Sequence, residues 1–186
     1  MTIVYVVLAL VAAPVGAAIW LYNGLVGLRN QVASAWAQID VQLKRRHDLI
    51  PNLVEAVRGY MQHERDLLER ITAARTRALA ATGAGAVGAA EGALSQAVGG
   101  LLAVMERYPD LKANQNVLAL QEELVTTENR VGFARQLYND LVGRYNTRQQ
   151  VFPANLVASA LGFRPAEFFQ ADAVDRELPR VDLGSR

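Results

Sequence analysis

Apolar residues recur at alternating spacings of three and four along most of this chain. The pattern occupies three tracts, at residues 32–78, 94–108 and 117–145. Such spacing puts apolar side chains on one face of an α-helix, and its persistence predicts long helices that pack side by side. No segment alternates apolar and polar residues between turn signals, so strands are not expected. The pattern predicts an all-α protein.

Glycine and proline positions suggest where these helices begin and end. Residues 82–92 are rich in glycine and alanine, and because each helical glycine costs about 1 kcal/mol relative to alanine, we interpret them as a connection. Pro109 should stop the second helix. The third, at residues 113–150, would be about 55 Å long. Pro153 can open a short last helix and Gly162 can close it. The tracts therefore predict an antiparallel bundle of three to four long helices.

The N-terminal residues form an uncharged apolar segment. No charged side chain precedes Arg29, and residues 3–22 are almost wholly apolar, which is about the length that a transmembrane helix requires. Trp20 and Tyr22 suit the interface between lipid and water. A signal peptide cleaved near Ala17 is the alternative, although a cationic leader is missing and the apolar run is too long. We predict an N-terminal transmembrane helix before the bundle.

Small side chains and nearby cations refine the membrane prediction. Ala9, Ala13 and Ala17 recur at a spacing of four, which lines one face of the span with alanine and favours packing between membrane helices, and hence a homo-oligomer. Arg29 and the three cations at residues 44–46 follow the span, and none precedes it. Because Lys and Arg are retained on the cytoplasmic side, we expect the N-terminus outside and the helical domain inside.

Composition excludes several classes of function. Nineteen Lys and Arg stand against eighteen Asp and Glu, for a formal net charge of +1, so no strong positive field points to a nucleic-acid partner. The chain contains no cysteine. Disulfides, thiolate metal sites and thiol catalysis therefore cannot occur.

The segment KRRHDLIPNL, residues 44–53, is the densest group of chemically active side chains. A metal site is not favoured, because the only histidines, His47 and His63, have no second ligand at helical spacing. Catalysis by His47 with Asp48 is not favoured either, because adjacent helical residues point about 100° apart. No glycine flanks the three cations of this segment, as a phosphate clamp built from backbone N–H groups would require. We predict no cofactor, metal or small-molecule substrate, and assign the segment to packing or partner contact through Arg45, Arg46, His47, Asp48 and Pro51.

Two residues of this segment make a more specific prediction. The apolar spacing places Arg46 on the inward face of the first tract, where its charge requires a partner and where an ion pair would set register more than add stability. Pro51 either kinks the first helix or starts a new segment.

Longer stretches carry a family resemblance. VASAWAQIDVQLKRRHDLIPNLVEAV, ERYPDLKANQNVLALQEELVTTENRVGFARQLYNDLVGRYNT and FPANLVASALGF resemble the LemA family of bacterial membrane proteins, over about residues 22–169. The resemblance implies an N-terminal membrane helix with a short extracytoplasmic N-terminus, an all-α domain of long helices and a location in the bacterial cytoplasmic membrane. It supplies no reaction, because the family has no established catalytic activity. Residues 83–92 match no fixed pattern of the family.

The sequence thus predicts three parts and one preferred function. Residues 1–22 would be the anchor, residues 23–163 the bundle and residues 164–186 a loosely ordered tail. We predict a single-pass scaffold or adaptor, without catalytic activity, that contacts the lipid bilayer, other copies of itself and an unidentified membrane or cytoplasmic protein. The alternatives are a secreted helical protein and a membrane-bound enzyme whose candidate groups are Glu122, Glu123 and Glu128 with His47 or His63.

Overall fold

The computed structural model describes residues 1–169, and it is helical throughout. It leaves five side chains in this range undescribed, those of Val6, Val7, Ala9, Val11 and Lys112. Within residues 1–169 there is no strand, as the periodicity predicts. Six helices occur in the described range: α1 Thr2–Arg58, α2 Arg65–Ala80, α3 Ala84–Met105, α4 Pro109–Ala113, α5 Gln115–Gln150 and α6 Ala154–Ala160.

The first apolar tract is divided between two helices. Helix α1 continues through Pro51 and ends at Arg58, and α2 begins only at Arg65. The three-four spacing of the first tract places Tyr60 inward, and this prediction is wrong. Tyr60 is exposed in the turn between the helices, and its neighbour Met61 is buried instead. The turn allows the apolar faces of α1 and α2 to close on the same core, so the three-four spacing persists although the helix does not.

The predicted connection at residues 82–92 is also largely wrong. Only residues 81–83 connect α2 to α3, and Gly83 has a φ of 87° at the start of α3, a conformation that glycine adopts without strain. Helix α3 then buries Val87, Glu91 and Leu94. Burial of this face outweighs the low helix propensity of the glycines, because packing against other helices supplies most helical stability.

The later tracts are confirmed. Pro109 occupies the first turn of α4, beyond the end of α3, where its missing N–H is no loss. Asn114 caps α5, since its side-chain oxygen accepts hydrogen bonds from the backbone N–H groups of Asn116 and Val117. Helix α5 buries most of the residues that the third tract places inward, namely Val117, Leu124, Thr127, Val131, Tyr138 and Tyr145. Leu120, Ala134 and Leu141 of the same tract are only partly buried, and Val142 is buried in place of Leu141.

The chain forms two compact units, and α1 and α5 contribute to both. Among the described residues, unit 1 contains Met1–Leu43 and Asn129–Phe168, and unit 2 contains Lys44–Glu128 with Phe169. Unit 2 has a continuous apolar core from the end of α1, α2, α3, α4 and the start of α5. Its fully buried side chains include Leu53, Val57, Met61, Ile71, Leu94, Leu101, Leu111, Val117 and Leu124.

Unit 1 packs α6 and the segment after it against α1 and α5. Helix α6 ends at Ala160, and Gly162 closes it as predicted, since its φ of 69° lets the chain turn back. The N–H of Phe163 bonds to the carbonyl of Ala158. The Phe163 ring then meets Tyr22 edge to face, with centroids 5.9 Å apart. Trp36 and Tyr138 pack with centroids 5.4 Å apart.

The prediction of a loosely ordered tail from residue 164 is wrong for its first residues. The Asn146 side chain donates to the Ala166 carbonyl and accepts from the Ala166 N–H, both at 2.9 Å. The Tyr138 hydroxyl donates to the Glu167 carbonyl at 2.8 Å. Burial, assisted by the Glu167 charge, raises the pKa of Tyr138, and burial also raises that of Tyr145. Residues 164–168 are therefore held against α5, whereas residues 170–186 lie outside the described part of the chain.

One helix in the described part of the chain is long and apolar enough to cross a membrane by length and composition, and it is α3. Its buried face belongs to the core of unit 2 and carries Glu91, so packing within that unit accounts for its apolar character. The span predicted at residues 3–22 includes several of the undescribed side chains, and it stays a prediction.

Candidate functional site

Pro51 leaves one carbonyl of α1 without its helical donor. A helical residue donates its N–H to the carbonyl four positions earlier. Because proline has no N–H, the His47 carbonyl receives no hydrogen bond from residue 51. Helix α2 supplies the replacement: the Nε–H of Arg75 donates to this oxygen at 2.7 Å. The helix therefore continues past Pro51 with the freed group satisfied, and the proline ties α1 to α2.

Arg46 lies in the core of unit 2 with two carboxylates. Its side chain has no exposed surface, as the seam predicts, and Nη1 lies 3.0 Å from Oε2 of Glu91. Nη2 lies 2.9 Å from Oε2 of Glu128, an ion pair that does not meet hydrogen-bond geometry. Nη2 also donates to Oγ of Ser95 at 2.9 Å, and Ser95 donates to Oε1 of Glu128 at 2.7 Å. The guanidinium thus joins α1, α3 and α5.

His47 completes this group. Its Nε2 lies 2.7 Å from Oε1 of Glu91, and both side chains are buried. We call Arg46, His47, Glu91, Ser95 and Glu128 the buried ion cluster. With a neutral histidine the cluster has one cation and two carboxylates, of which only Glu128 has substantial access to solvent. Both oxygens of Glu91 are therefore occupied by partners from consecutive residues of α1.

The remaining predicted residues of the segment face outward. Arg45 donates through Nε and Nη2 to one oxygen of Glu123, at 3.0 and 2.6 Å, and both side chains are about half exposed. Asp48 is exposed, and the described residues offer it no ion pair. Exposed pairs contribute about 0–1 kcal/mol, so the inward residues Arg46 and His47 dominate the energetics of the segment.

The groups required by the enzyme hypothesis do not all converge. Glu128 and His47 belong to the buried ion cluster, whereas Glu122 and His63 are exposed and Glu123 pairs with Arg45 at the surface. Among the described residues no group of three His, Cys, Asp or Glu is placed to hold a metal. The cluster's carboxylates are already bonded to Arg46, Ser95 or His47, which favours a structural role.

The alanines predicted to pack between membrane helices lie on the exposed first part of α1. Ala13 and Ala17 are exposed in the single chain, and so is Gly16, where an added Cβ would meet nothing within 4 Å. The side chain of Ala9 lies outside the described residues. This surface is open to a neighbour, and its use in association stays a prediction.

Three residues that bind the 44–53 segment, Glu91, Ser95 and Arg75, escaped prediction from sequence. Glu91 and Ser95 lie in the glycine- and alanine-rich stretch, where a lone acidic residue among apolar ones was the available signal. Arg75 could have been sought from Pro51, since a proline inside a helix frees the carbonyl four residues before it. Both signals identify a need for a partner but not which side chain meets it.

Several known proteins are similar to this sequence over most of its length. It is 25% identical over 175 residues to a magnetosome protein, MamQ 2, of Paramagnetospirillum magneticum, with 80% of this chain and 64% of the relative covered. A MamQ of Magnetospirillum gryphiswaldense is 23% identical over 174 residues, at the same coverage. The chain thus spans less than two thirds of the MamQ proteins.

A further relative carries the family's own name. Protein LemA of Metamycoplasma hominis is 27% identical over 163 residues, with 87% of this chain and 72% of the relative covered. The model of the LemA family matches residues 35–183, which include all five residues of the buried ion cluster. The chain belongs to the LemA family.

Proposed function

We propose that this protein is a membrane-anchored helical scaffold whose first residues span a lipid bilayer. One observation carries the proposal: the start of α1 exposes apolar side chains that no other part of residues 1–169 covers. The exposed residues are Ile3, Val4, Tyr5, Leu8, Leu10, Val15, Ile19 and Trp20. Burying such a side chain yields about 1.5–3 kcal/mol, so together they favour lipid strongly over water.

The same helix continues into the packed part of the protein. Helix α1 is unbroken from Thr2 to Arg58, and its residues enter the cores of both units. A scaffold requires stable attachment of its folded part to its anchor, and a continuous helix supplies this without a linker. Two relatives are named as magnetosome proteins, and neither name states a reaction, which is consistent with a scaffold.

Extraction of the full chain from membranes tests the anchor. We expect the protein to remain in the membrane pellet at alkaline pH, where peripheral proteins are released. The control is a chain that lacks residues 2–18, because Leu21 is buried and Tyr22 packs on Phe163. This variant should be soluble and helical by circular dichroism. Release of the full chain without detergent would contradict the proposal.

The orientation that we propose has the helical domain in the cytoplasm. Arg29 follows the apolar segment at once, and cations close to a span are retained inside. A Thr126→Cys variant of this cysteine-free chain places a thiol at an exposed position of α5. An impermeant thiol reagent should label it only after the inner membrane is opened. Labelling in cells whose inner membrane is intact would reverse the orientation.

Self-association and adaptor activity are the finer part of the proposal. Unit 1 exposes an apolar groove of about 510 Å³ between α1 and α5, whose lining includes Val41, Phe133 and Leu137. Exposed apolar patches of this kind mark protein contacts. A photoreactive residue at Phe133 should crosslink in native membranes, whereas the same residue at Thr126 should not. Equal crosslinking at both positions would remove support for this surface.

A further inference from the structure

One end of unit 1 exposes apolar side chains close to where the predicted span finishes. Phe152, Leu156 and Leu161 are 74%, 60% and 58% exposed. Helix α6 buries Ala154 and Ala158 on its inner side, which turns Leu156 outward. These three residues therefore form an apolar surface around α6 that the described chain leaves uncovered.

Direct contacts place this surface beside the last turn of the span. The guanidinium of Arg148, in the final turn of α5, lies 5.5 Å from the ring centroid of Trp20. Phe163, just after α6, packs edge to face on Tyr22. Trp and Tyr at the end of a span lie at the headgroup level of a bilayer. Residues packed on them, and the α6 surface between them, lie at the same level.

Three arginines belong to the same end of unit 1. Arg29 lies 5.5 Å from the ring centroid of Phe163. Arg144 and Arg148 line an open groove of about 860 Å³ at the end of α5, in which the acidic lining residue is Asp140. Arginine is suited to phosphate because its guanidinium presents several N–H donors. The groove has a net positive lining, and its Arg148 contacts Trp20 at the end of the proposed span.

We propose, on the basis of the membrane span proposed above, that this end of unit 1 is seated in the surface of an anionic bilayer. Phe152, Leu156 and Leu161 enter the headgroup layer, as apolar residues of interfacial helices do, while Arg144 and Arg148 bind the phosphates of anionic lipids. The bilayer is the occupant favoured here because the surface adjoins the span and its charge complements anionic headgroups.

Depth measurements on the full chain test this contact of unit 1 with the bilayer surface, which we call the seat. Single cysteines at Leu156, Val15 and Asp40 carry an environment-sensitive dye, and the protein is reconstituted into vesicles of phosphatidylcholine and phosphatidylglycerol. Val15 reports the span. Asp40 is a matched control, exposed in unit 1 outside the proposed protein-contact groove and about 27 Å beyond Tyr22 along α1. We expect nitroxides on lipid headgroups to quench the Leu156 dye, nitroxides on acyl chains to quench the Val15 dye, and aqueous iodide to quench the Asp40 dye.

Each other outcome overturns the proposal in a distinguishable way. If lipid nitroxides quench the dye at Val15 but not at Leu156, the anchor stands and the seat is wrong. If they quench neither dye, the proposed span fails together with the seat. Protection of Leu156 from both lipid nitroxide and iodide would mean that another protein chain covers the surface, which also overturns the seat.

A second measurement tests the preference for anionic lipid. A dye at Thr147→Cys, which lines the groove beside Arg148, is quenched by nitroxide-labelled phosphatidylglycerol or, separately, by labelled phosphatidylcholine. We expect several-fold stronger quenching by the anionic lipid, since each arginine near an anionic surface contributes about five-fold. Arg144→Gln with Arg148→Gln should equalise the two lipids. Equal quenching in the unmodified groove would overturn the assignment of phosphate binding.

Discussion

The two units use the same pair of helices but hold their arginines by different chemistry. In unit 2, α1, α3 and α5 surround Arg46 and leave it no exposed surface, and carboxylates neutralise it. In unit 1 the cations Arg29 and Arg148 stay at the surface, where each lies over an aromatic ring. Burial decides whether a cation must be paired, because a charge removed from water needs a partner.

This difference predicts where substitutions are costly. A buried charge that loses its partner retains the full penalty of desolvation, whereas an exposed cation that leaves a ring returns to water and loses about 0.5–1 kcal/mol. In unit 2, the loss of a single partner from the buried ion cluster should therefore be costly. Unit 1 is held by many weaker contacts, each of which can be lost alone.

The largest effect is expected from Arg46→Ala. The substitution strands Glu91 in the core with no guanidinium, and the free energy of unfolding should fall by about 3–5 kcal/mol. Thermal melts of the full chain in mild detergent measure it. Arg45→Ala is the matched control, because the neighbouring residue loses only an exposed pair with Glu123 and should cost about 0–1 kcal/mol. Similar melting temperatures for the two variants would mean that Arg46 is not buried.

A smaller effect is expected from Arg75→Met. The variant leaves the His47 carbonyl without a donor, which should cost about 1–3 kcal/mol. The matched background is Pro51→Ala, in which the restored N–H at position 51 can donate to the same oxygen. The cost of Arg75→Met should fall by about 1 kcal/mol in that background, as measured by a double-mutant cycle. An unchanged cost would show that the proline and the arginine act independently.

These two sites show how far the sequence could be read. The seam places Arg46 inward because apolar residues at three-four spacing flank it, so its need for a carboxylate could be predicted. Glu91 could not be identified, because the glycines around it obscure the helix that carries it. Pro51 shows that the His47 carbonyl needs another donor, but it does not identify Arg75 as that donor. Contacts between distant residues depend on how the helices pack, and periodicity does not encode this packing.

The helices themselves show the same limit. Tract three was predicted well because α5 contains no internal turn. Tract one conceals the turn at residues 59–64, since both flanking helices bury one core and the spacing continues in phase. The six residues after Gly162 contain no periodic signal, yet side chains of α5 bind their backbone.

Asn146→Ala should weaken unit 1 by about 1–2 kcal/mol, because it removes two hydrogen bonds to Ala166 at about 1 kcal/mol each. Hydrogen exchange of the Ala166 amide should accelerate in the variant. Asn30→Ala removes an exposed asparagine of α1 in the same unit and should change stability by less than about 0.5 kcal/mol. If the exchange of Ala166 is unaffected by Asn146→Ala, the contact does not hold the segment.

The smallest effect, and the one with a pH signature, is expected from Tyr138→Phe. Loss of the hydrogen bond to the Glu167 carbonyl should cost about 0.5–1.5 kcal/mol at neutral pH. In the folded chain, burial and the Glu167 charge raise the pKa of Tyr138 above 10.0, so the fold favours the neutral phenol. Above pH 10 the unfolded chain ionises first, and stability falls with rising pH.

The phenylalanine variant lacks this group and should lose less stability in alkali. The difference in unfolding free energy between the two proteins should therefore narrow as the pH rises above about 10. Urea titrations from pH 7 upward measure it. Some alkaline loss should persist in the variant, because Tyr145 is also buried with a raised pKa. A difference that stays constant with pH would mean that Tyr138 is solvated and that residues 164–168 are not packed over it.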